Sequence, residues 1–340
     1  MKKALYICPS KLSHAGIAHK VRSQVTALKT ILPISLITLP LKSPHRIRNY
    51  VAFHRRAVIA ALKANWVYCR YNPKVPFLNA TLVFLSFFKP VFFELNAFYD
   101  RELKALNRNA ERLLHVFSMI FLRRSRSHFF LVHRQLKTVL KKQGVPETRC
   151  HLLHNAYLQP VIDPSNVDFM HVNTVKTLKK DYKKLGIFVG SQNLAHGLSH
   201  IRQFMQRHPR VFFILIGDFS WQDMDNTLHL GSLNLDTLLS IYPHCSFAVG
   251  SMGWDRLQVD DACPLKTAEY LSHGLPVLIR GYRDWAMDIP ELAPFILDIE
   301  SNPKAETGFI RKRWDRDTLK KASLAQLNWV SFSTQTRRLL

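Results

Sequence analysis

The run Cys263-Pro264-Leu265-Lys266-Thr267-Ala268-Glu269-Tyr270-Leu271-Ser272-His273-Gly274-Leu275-Pro276-Val277 has the spacing that speaks most directly to chemistry. Pro264 presets a helix start and His273-Gly274 caps its end, so 264–272 is expected to be helical. Lys266 then falls in the first turn, where a cation opposes the helix dipole unless an anion binds there. Glu269 lies three residues on, along the same face. A cation and a carboxylate so placed suit the diphosphate and ribose of a nucleotide. The same spacing also suits an ion pair on a solvated helix, and spacing alone leaves both readings open. Gly190-Ser191 follows the apolar run Leu185–Val189, and Gly-Ser at a strand end allows close approach of a diphosphate. It is neither a Walker loop nor a G-x-G-x-x-G fingerprint. Gly16, in Ser13-His14-Ala15-Gly16, follows the first apolar run and opens a helix. It either lets backbone N–H groups approach a phosphate or simply makes a turn. His14, His19 and His273 read as surface, packing or cap-neighbour residues.

These positions require strands that end where the polar loops begin. Short apolar runs at Ala4–Cys8, Ile34–Leu39, Trp66–Arg70, Val91–Leu95, Phe129–Val132 and Cys150–Leu153 alternate with helical patterns. From about Gln159 to Asp181 the apolar period lapses, which marks a linker. Alternation restarts at Leu185–Val189, Val211–Ile216, Leu228–Leu230, Phe247–Val249, Val277–Ile279 and Phe295–Leu297. A helical tail spans roughly 315–339. Such alternation predicts an α/β protein of two Rossmann-like domains with parallel sheets, whose ligands gather at the carboxyl ends of the strands.

The 340 residues carry 48 Lys+Arg against 24 Asp+Glu, a net charge of +24. Residues 1–160 hold 27 basic and 5 acidic residues, whereas residues 161–340 hold 21 and 19. The basic half is expected to face something anionic. Its cations are interleaved with Phe, Leu and Ile over 77–93 and 113–126, which favours an interfacial membrane surface over nucleic acid. No nucleic-acid-binding motif is present. Apolar residues make up 47% of the chain, enough for sizeable cores, which excludes disordered, collagen and coiled-coil classes. The five cysteines show no C-x-x-C spacing, so neither a zinc site nor a disulfide framework is expected, in keeping with a reducing compartment. The start reads as a first strand rather than a signal peptide. The most apolar stretch, 75–93, contains Asn79, Lys89 and Pro90 and reads as a poor spanning helix.

Pro-Leu-Lys-x-x-Glu-Tyr-Leu-x-x-Gly-Leu-Pro-Val over 264–277 resembles the donor-nucleotide helix of GT-B glycosyltransferases of the family 4 type, as found in bacterial envelope polysaccharide synthesis. Phe129–Asn155, with its Gly-Val-Pro turn, resembles the last unit of the acceptor domain. Phe188–Ser191, Phe213–Gly217 and Leu228–Gly231 resemble successive donor-domain strand ends, and Trp329 resembles the tryptophan of the closing helix. The resemblance covers most of the chain.

The resemblance implies two Rossmann-like domains facing each other across a cleft: an acceptor domain over 1–165, a nucleotide-sugar domain over 180–316, and a helical tail over 317–340 that crosses back to the first domain. It implies transfer of a sugar from a UDP- or GDP-linked donor to a lipid-linked or polysaccharide acceptor, with no cofactor and no bound metal. Lys266 would stabilise the departing diphosphate and Glu269 would hold the ribose. Gly190 and Ser191 would line the phosphate site with Gly16 opposite, and Gly231 and Leu233 would contact the base. Asp261 stands at the first position of the family's E-x7-E pair, one methylene short. The family's acceptor-domain histidine is replaced here by a region holding Glu94, Asn96 and Asp100. In an inverting enzyme a carboxylate there, Asp100 or Glu94, would be the general base. The expected address is the cytoplasmic face of an anionic membrane. The alternatives are a non-catalytic protein of this fold and, with less support, nucleic-acid binding through the basic half.

Overall fold

The computed structural model describes residues 3–11, 15–39 and 46–340. The chain divides into two compact units, residues 1–154 with 329–340, and residues 155–328. In the first unit β1 (Ala4–Lys11), α1 (Ala15–Lys29), β2 (Ile34–Leu39), α2 (Arg46–Lys63), β3 (Trp66–Arg70) and α3 (Pro76–Leu85) follow in order. Then come β4 (Val91–Leu95), α4 (Tyr99–Ala105), α5 (Asn109–Arg124), β5 (His128–Leu131), α6 (Arg134–Lys142) and β6 (Cys150–Leu152). The strands form one parallel sheet in the order β2-β1-β3-β4-β5-β6. Val91–Leu95 is buried at every position, as expected of an interior parallel strand covered on both faces.

The second unit contains α7 (Phe169–Asp181), β7 (Leu185–Ser191), α8 (Leu198–Gln206), β8 (Phe212–Asp218), β9 (Thr227–His229), α9 (Leu235–Ile241), β10 (Phe247–Val249) and β11 (Asp261–Ala262). It continues through α10 (Leu265–Ser272), β12 (Val277–Ile279), β13 (Arg283–Asp284), β14 (Ile296–Asp298), α11 (Glu306–Arg311) and α12 (Arg316–Gln326). Its main sheet, also parallel, runs β14-β12-β10-β7-β8-β9, and β11 pairs with β13 in a small separate ladder. A core of Phe188, Phe204, Phe213, Leu215, Phe247 and their neighbours lies between this sheet and its helices.

One local expectation is corrected and two regions gain detail. Much of the anticipated linker is α7, whose start is capped by Asp168 accepting from the Met170 and His171 amides. Between β4 and β5 the chain forms two helices rather than one, α4 and α5, separated at Asn107, which adopts positive φ. The tail is also two helices: α12 packs on α10, while α13 (Val330–Arg338) packs on α1 in the first unit. Phe332 anchors α13 there against Tyr68 and Phe130.

The charge divides as the chain does. The first unit carries 29 Lys+Arg and 5 Asp+Glu, and the second carries 19 of each. The net charge of +24 therefore belongs to the first unit alone.

Candidate functional site

In an open parallel sheet a crevice forms where successive connections leave a strand in opposite directions. In the second unit the chain winds outward from β7 to β8 and β9, then returns to β10 on the other side of β7. The switch point is therefore at the carboxyl ends of β7 and β10. Lys266, in the first turn of α10, arrives there: its Nζ donates to the Val189 carbonyl at 2.9 Å and lies 4.6 Å from the centre of the Phe188 ring. One turn on, the Tyr270 hydroxyl accepts from the Val189 amide at 2.8 Å and fixes the helix to the same strand end. Pro264 is the residue preceding α10, with φ −66°, and Gly274 closes the helix at φ +71°.

The strand ends near Lys266 carry glycines, and at Gly190 the place of a Cβ is taken by the Phe188 ring and His196 Nδ1. Gly190 is in register with Gly217 across the β7–β8 pair. A Cβ on Gly217, whose φ is +139°, would lie 1.8 Å from the Gly190 carbonyl oxygen. The Gly217 amide in turn donates to the Gly231 carbonyl at 2.7 Å. Gly190 and Gly217 thus let the ends of β7 and β8 pack closely, and Gly231, where a Cβ would touch nothing, leaves open backbone beside them, which an anion can approach. Ser191 continues β7, and its amide donates to His196 Nδ1 at 2.9 Å. Burial, reinforced by the neighbouring Lys266 charge, lowers the His196 pKa to about 3, so this imidazole is neutral. Leu233 lies half-buried in the loop between β9 and α9.

Glu269 and Asp261 are both engaged. The Tyr242 hydroxyl donates to Glu269 Oε1 at 2.6 Å, and burial raises the carboxyl pKa against the opposing effects of Tyr242 and Lys266. Asp261 accepts from Trp285 Nε1 at 2.8 Å, tying β11 to the turn after β13. Loss of hydration brings the Lys266 pKa down to about 7, with Glu269 partly opposing. An anionic ligand favours the ammonium form, so its binding takes up a proton. Affinity for a nucleoside diphosphate is therefore expected to fall as pH rises from 7 to 9, with proton uptake visible when calorimetric titrations are compared in buffers of different ionisation enthalpy. The stability effect has the opposite sign. Between about 7 and 10.5 the unfolded chain holds the proton and the folded chain does not, so Lys266 costs less stability as pH rises through that window. The melting temperature of the wild type should rise relative to Lys266→Met over the same range. A parallel course for the two proteins would contradict the depressed pKa.

In the first unit the carboxylates near the end of β4 part company. Glu94 is completely buried. It pairs with Lys20 at 2.7 Å and accepts from Tyr68 at 2.5 Å and from Gln24 at 2.8 Å, with Arg70 at 3.9 Å. Burial alone would raise its pKa, but Lys20, Arg70 and the Tyr68 hydrogen bond outweigh that and hold it at about 2. Glu94, one of the two carboxylates expected as a general base, is thus enclosed in an ion pair and holds a proton weakly. Asp100 differs. Its side chain is 49% exposed at the start of α4 and accepts from Arg112 Nε at 2.6 Å. Gly16 is exposed near the start of α1, and a Cβ there would touch nothing, so packing does not demand glycine. Ser13 and His14, the rest of that expected loop, lie outside the described residues, as do the side-chain surroundings of Ala15.

Among solved structures the chain is similar over its full length to HepE from Anabaena in complex with UDP-glucose, with TM-score 0.66 and 13% identity, covering 100% of this chain and 99% of that one. It is also similar to the catalytic domain of starch synthase IV from Arabidopsis thaliana bound to ADP and acarbose, with TM-score 0.68, 11% identity and coverage of 99% and 98%. A weaker likeness, TM-score 0.52 at 12% identity and the same coverage, is to UDP-GlcNAc 2-epimerase from Neisseria meningitidis bound to UDP-GlcNAc. The chain has the GT-B fold. No protein-family model matches the sequence. No curated protein matches it either.

Within the GT-B second unit, several groups that contact the expected site residues are not evident from motif spacing. Phe188 supports Lys266 by its ring, Tyr242 holds Glu269, and Gly217 pairs with Gly190. In the GT-B first unit, Lys20 and Gln24 are buried on α1 beside Val21 and Leu28. Their position on the apolar period of that helix is the signal that marks them.

Proposed function

We propose that this chain is a glycosyltransferase that moves a sugar from a UDP- or GDP-linked donor to a lipid-linked or polysaccharide acceptor in cell-envelope glycan synthesis. The observation that carries the reading is Lys266, held by the Val189 carbonyl at the switch point of the second unit, with its pKa lowered to about 7. The GT-B likeness to proteins solved with UDP-glucose and with ADP supports it. In the proposed reaction the bond from the anomeric carbon to the diphosphate breaks, and the acceptor oxygen bonds to that carbon. Negative charge grows on the departing diphosphate, where the Lys266 ammonium meets it. Glu269 holds the ribose hydroxyls, Gly190 and Ser191 line the phosphates, and Gly231 and Leu233 present backbone to the base. If the product anomer is inverted, Asp100 takes the acceptor proton. No bound metal is expected, by the resemblance to the family.

A thermal-shift screen against UDP, GDP, ADP and their sugars tests the reading. The true donor stabilises the fold in proportion to RT ln(1 + [L]/Kd). Binding without transfer or hydrolysis of any donor would favour a non-catalytic protein of this fold. That alternative has its own motive, since neutral His196 occupies the loop where the family often carries cations.

The first unit supports placing the acceptor at an anionic membrane surface. Phe77 and Phe88 are 79% and 71% exposed on and just after α3. Phe117 and Phe121 stand exposed on α5, which packs against α3, and the Arg126 guanidinium lies over Phe87. Apolar rings rimmed by cations suit an interface. Among the described residues no helix is long and apolar enough to cross a membrane. In flotation assays, binding is expected to require anionic lipid and to weaken as salt shortens the Debye length. Equal recovery with neutral vesicles would rule out the electrostatic part.

A further inference from the structure

A cavity of about 340 Å³ lies inside the first unit, lined by residues of α4, α5, α6 and the end of β4. Leu95, Phe98, Met119, Ile120, Leu136 and Val139 form apolar walls. Such a surface open to water is unfavourable until an apolar group covers it. The charged residues lining it are Asp100, Arg101 and Arg123. Asp100 is already paired with Arg112, and the Arg101 guanidinium lies 4.8 Å from the centre of the Phe98 ring. His115 also lines the cavity, with Nδ1 2.9 Å from the Tyr71 hydroxyl. Burial brings its pKa down to about 4 against the opposing pull of Asp100, so it adds no charge at neutral pH. The lining is therefore apolar within and net positive in its charged groups. Val116 both lines the cavity and is 46% exposed on α5, on the same helix as exposed Phe117 and Phe121. The cavity therefore reaches the outer surface of the unit at Val116.

We propose that this cavity takes up the apolar chain of a small anionic amphiphile whose phosphate headgroup sits at Arg101 and Arg123. The wall chemistry selects an alkyl chain, and the arginines select an anionic rather than a neutral or cationic head. The inference deepens the transferase reading by naming the acceptor class, a long-chain phosphate, and rests on that reading for the amphiphile being the acceptor.

The test is calorimetric titration of the full chain with dodecyl phosphate below its micelle concentration, with dodecyl maltoside as the neutral-headed comparison. Saturable one-to-one binding of dodecyl phosphate is expected, with at least tenfold weaker binding of the maltoside. Ile120→Trp fills the cavity and should weaken dodecyl phosphate at least tenfold. Val139→Phe should act in the same direction if Ile120→Trp fails to fold, which its melting curve shows. Phe88→Ser, outside the cavity, should leave binding unchanged. Equal affinity for the two heads, indifference to both filling variants, or loss of binding in Phe88→Ser would each overturn the proposal, the last because it marks surface adsorption. The two readings fail separately. Cavity binding with no turnover of any nucleotide sugar sinks the transferase reading alone. Turnover whose acceptor KM is the same in wild type and the filling variants sinks the cavity inference alone.

Discussion

Lys266→Met is expected to lower kcat for sugar transfer by about 100- to 1,000-fold, the range found when one preorganised donor to a developing anion is removed. Methionine keeps most of the length and apolar stem of lysine, so contact with Phe188 survives while the charge is lost. The Val189 carbonyl loses its Nζ donor, but this strand end is partly exposed and water can replace it. The fold should therefore melt no lower than the wild type at neutral pH, since the variant also sheds the cost of desolvating the Lys266 ammonium. The loss should fall on kcat more than on KM, because diphosphate charge is greater in the transition state than in the bound donor. Rapid-quench measurement of a single turnover with the donor found by thermal shift reads the chemical step directly. An unchanged rate, with the variant folded, would remove Lys266 from the site. Lys266→Arg is not a benign control, since a guanidinium is larger, planar and does not deprotonate near neutral pH.

The second large effect is on stability. Glu94→Gln leaves Lys20 buried without its counter-charge, and breaking a buried pair in this way costs about 3–5 kcal/mol. For a unit of this size that lowers the melting temperature on the order of 10 °C. Removing both charges, in Lys20→Met with Glu94→Gln, should recover part of the loss, because neither partner is then left charged and alone. Asp100→Asn is the contrast: its pair with Arg112 is exposed and contributes about 0–1 kcal/mol, so the melt should barely move. Calorimetric melts of the four proteins decide the matter, and a wild-type melt for Glu94→Gln would sink the anchor role. The pH dependence has a defined sign. The folded Glu94 carboxyl is depressed from 4.5 to about 2, so its stabilisation is complete above roughly pH 5 and is lost as pH falls from there through 2.

These two residues also show where sequence reading reaches and where it stops. Lys266 is legible because everything that marks it is local: Pro264 ahead, Glu269 one turn on, Gly274 at the stop. Glu94 is ambiguous because a carboxylate at the end of Val-Phe-Phe-Glu-Leu is equally a buried anchor or a reactive group at a strand end. Its partners come from Lys20 and Gln24 on α1 and from Tyr68 and Arg70 on β3, all at least twenty positions away. The linker over 159–181 is misread for a related reason. Helix α7 has only a weak apolar stripe, with Val172 and Val175 buried, and its stability comes from packing on α9 rather than from its own period.

By itself the sequence determined the alternating α/β architecture, the positions of the main strands, the concentration of positive charge in one half, and the helix that carries Lys266. Each is encoded in a window of a few residues, through apolar period, helix caps or a count of charges. Only the tertiary structure decided that the Lys266 ammonium meets the carbonyl of Val189, that Gly190 lies against Gly217, that Glu94 is enclosed while Asp100 is open, and that an apolar cavity lies beside Asp100. The physical reason is that charge, hydration and hydrogen bonding at a site depend on groups brought together from distant parts of the chain. Strand order and the switch point select those neighbours, and no local pattern encodes them.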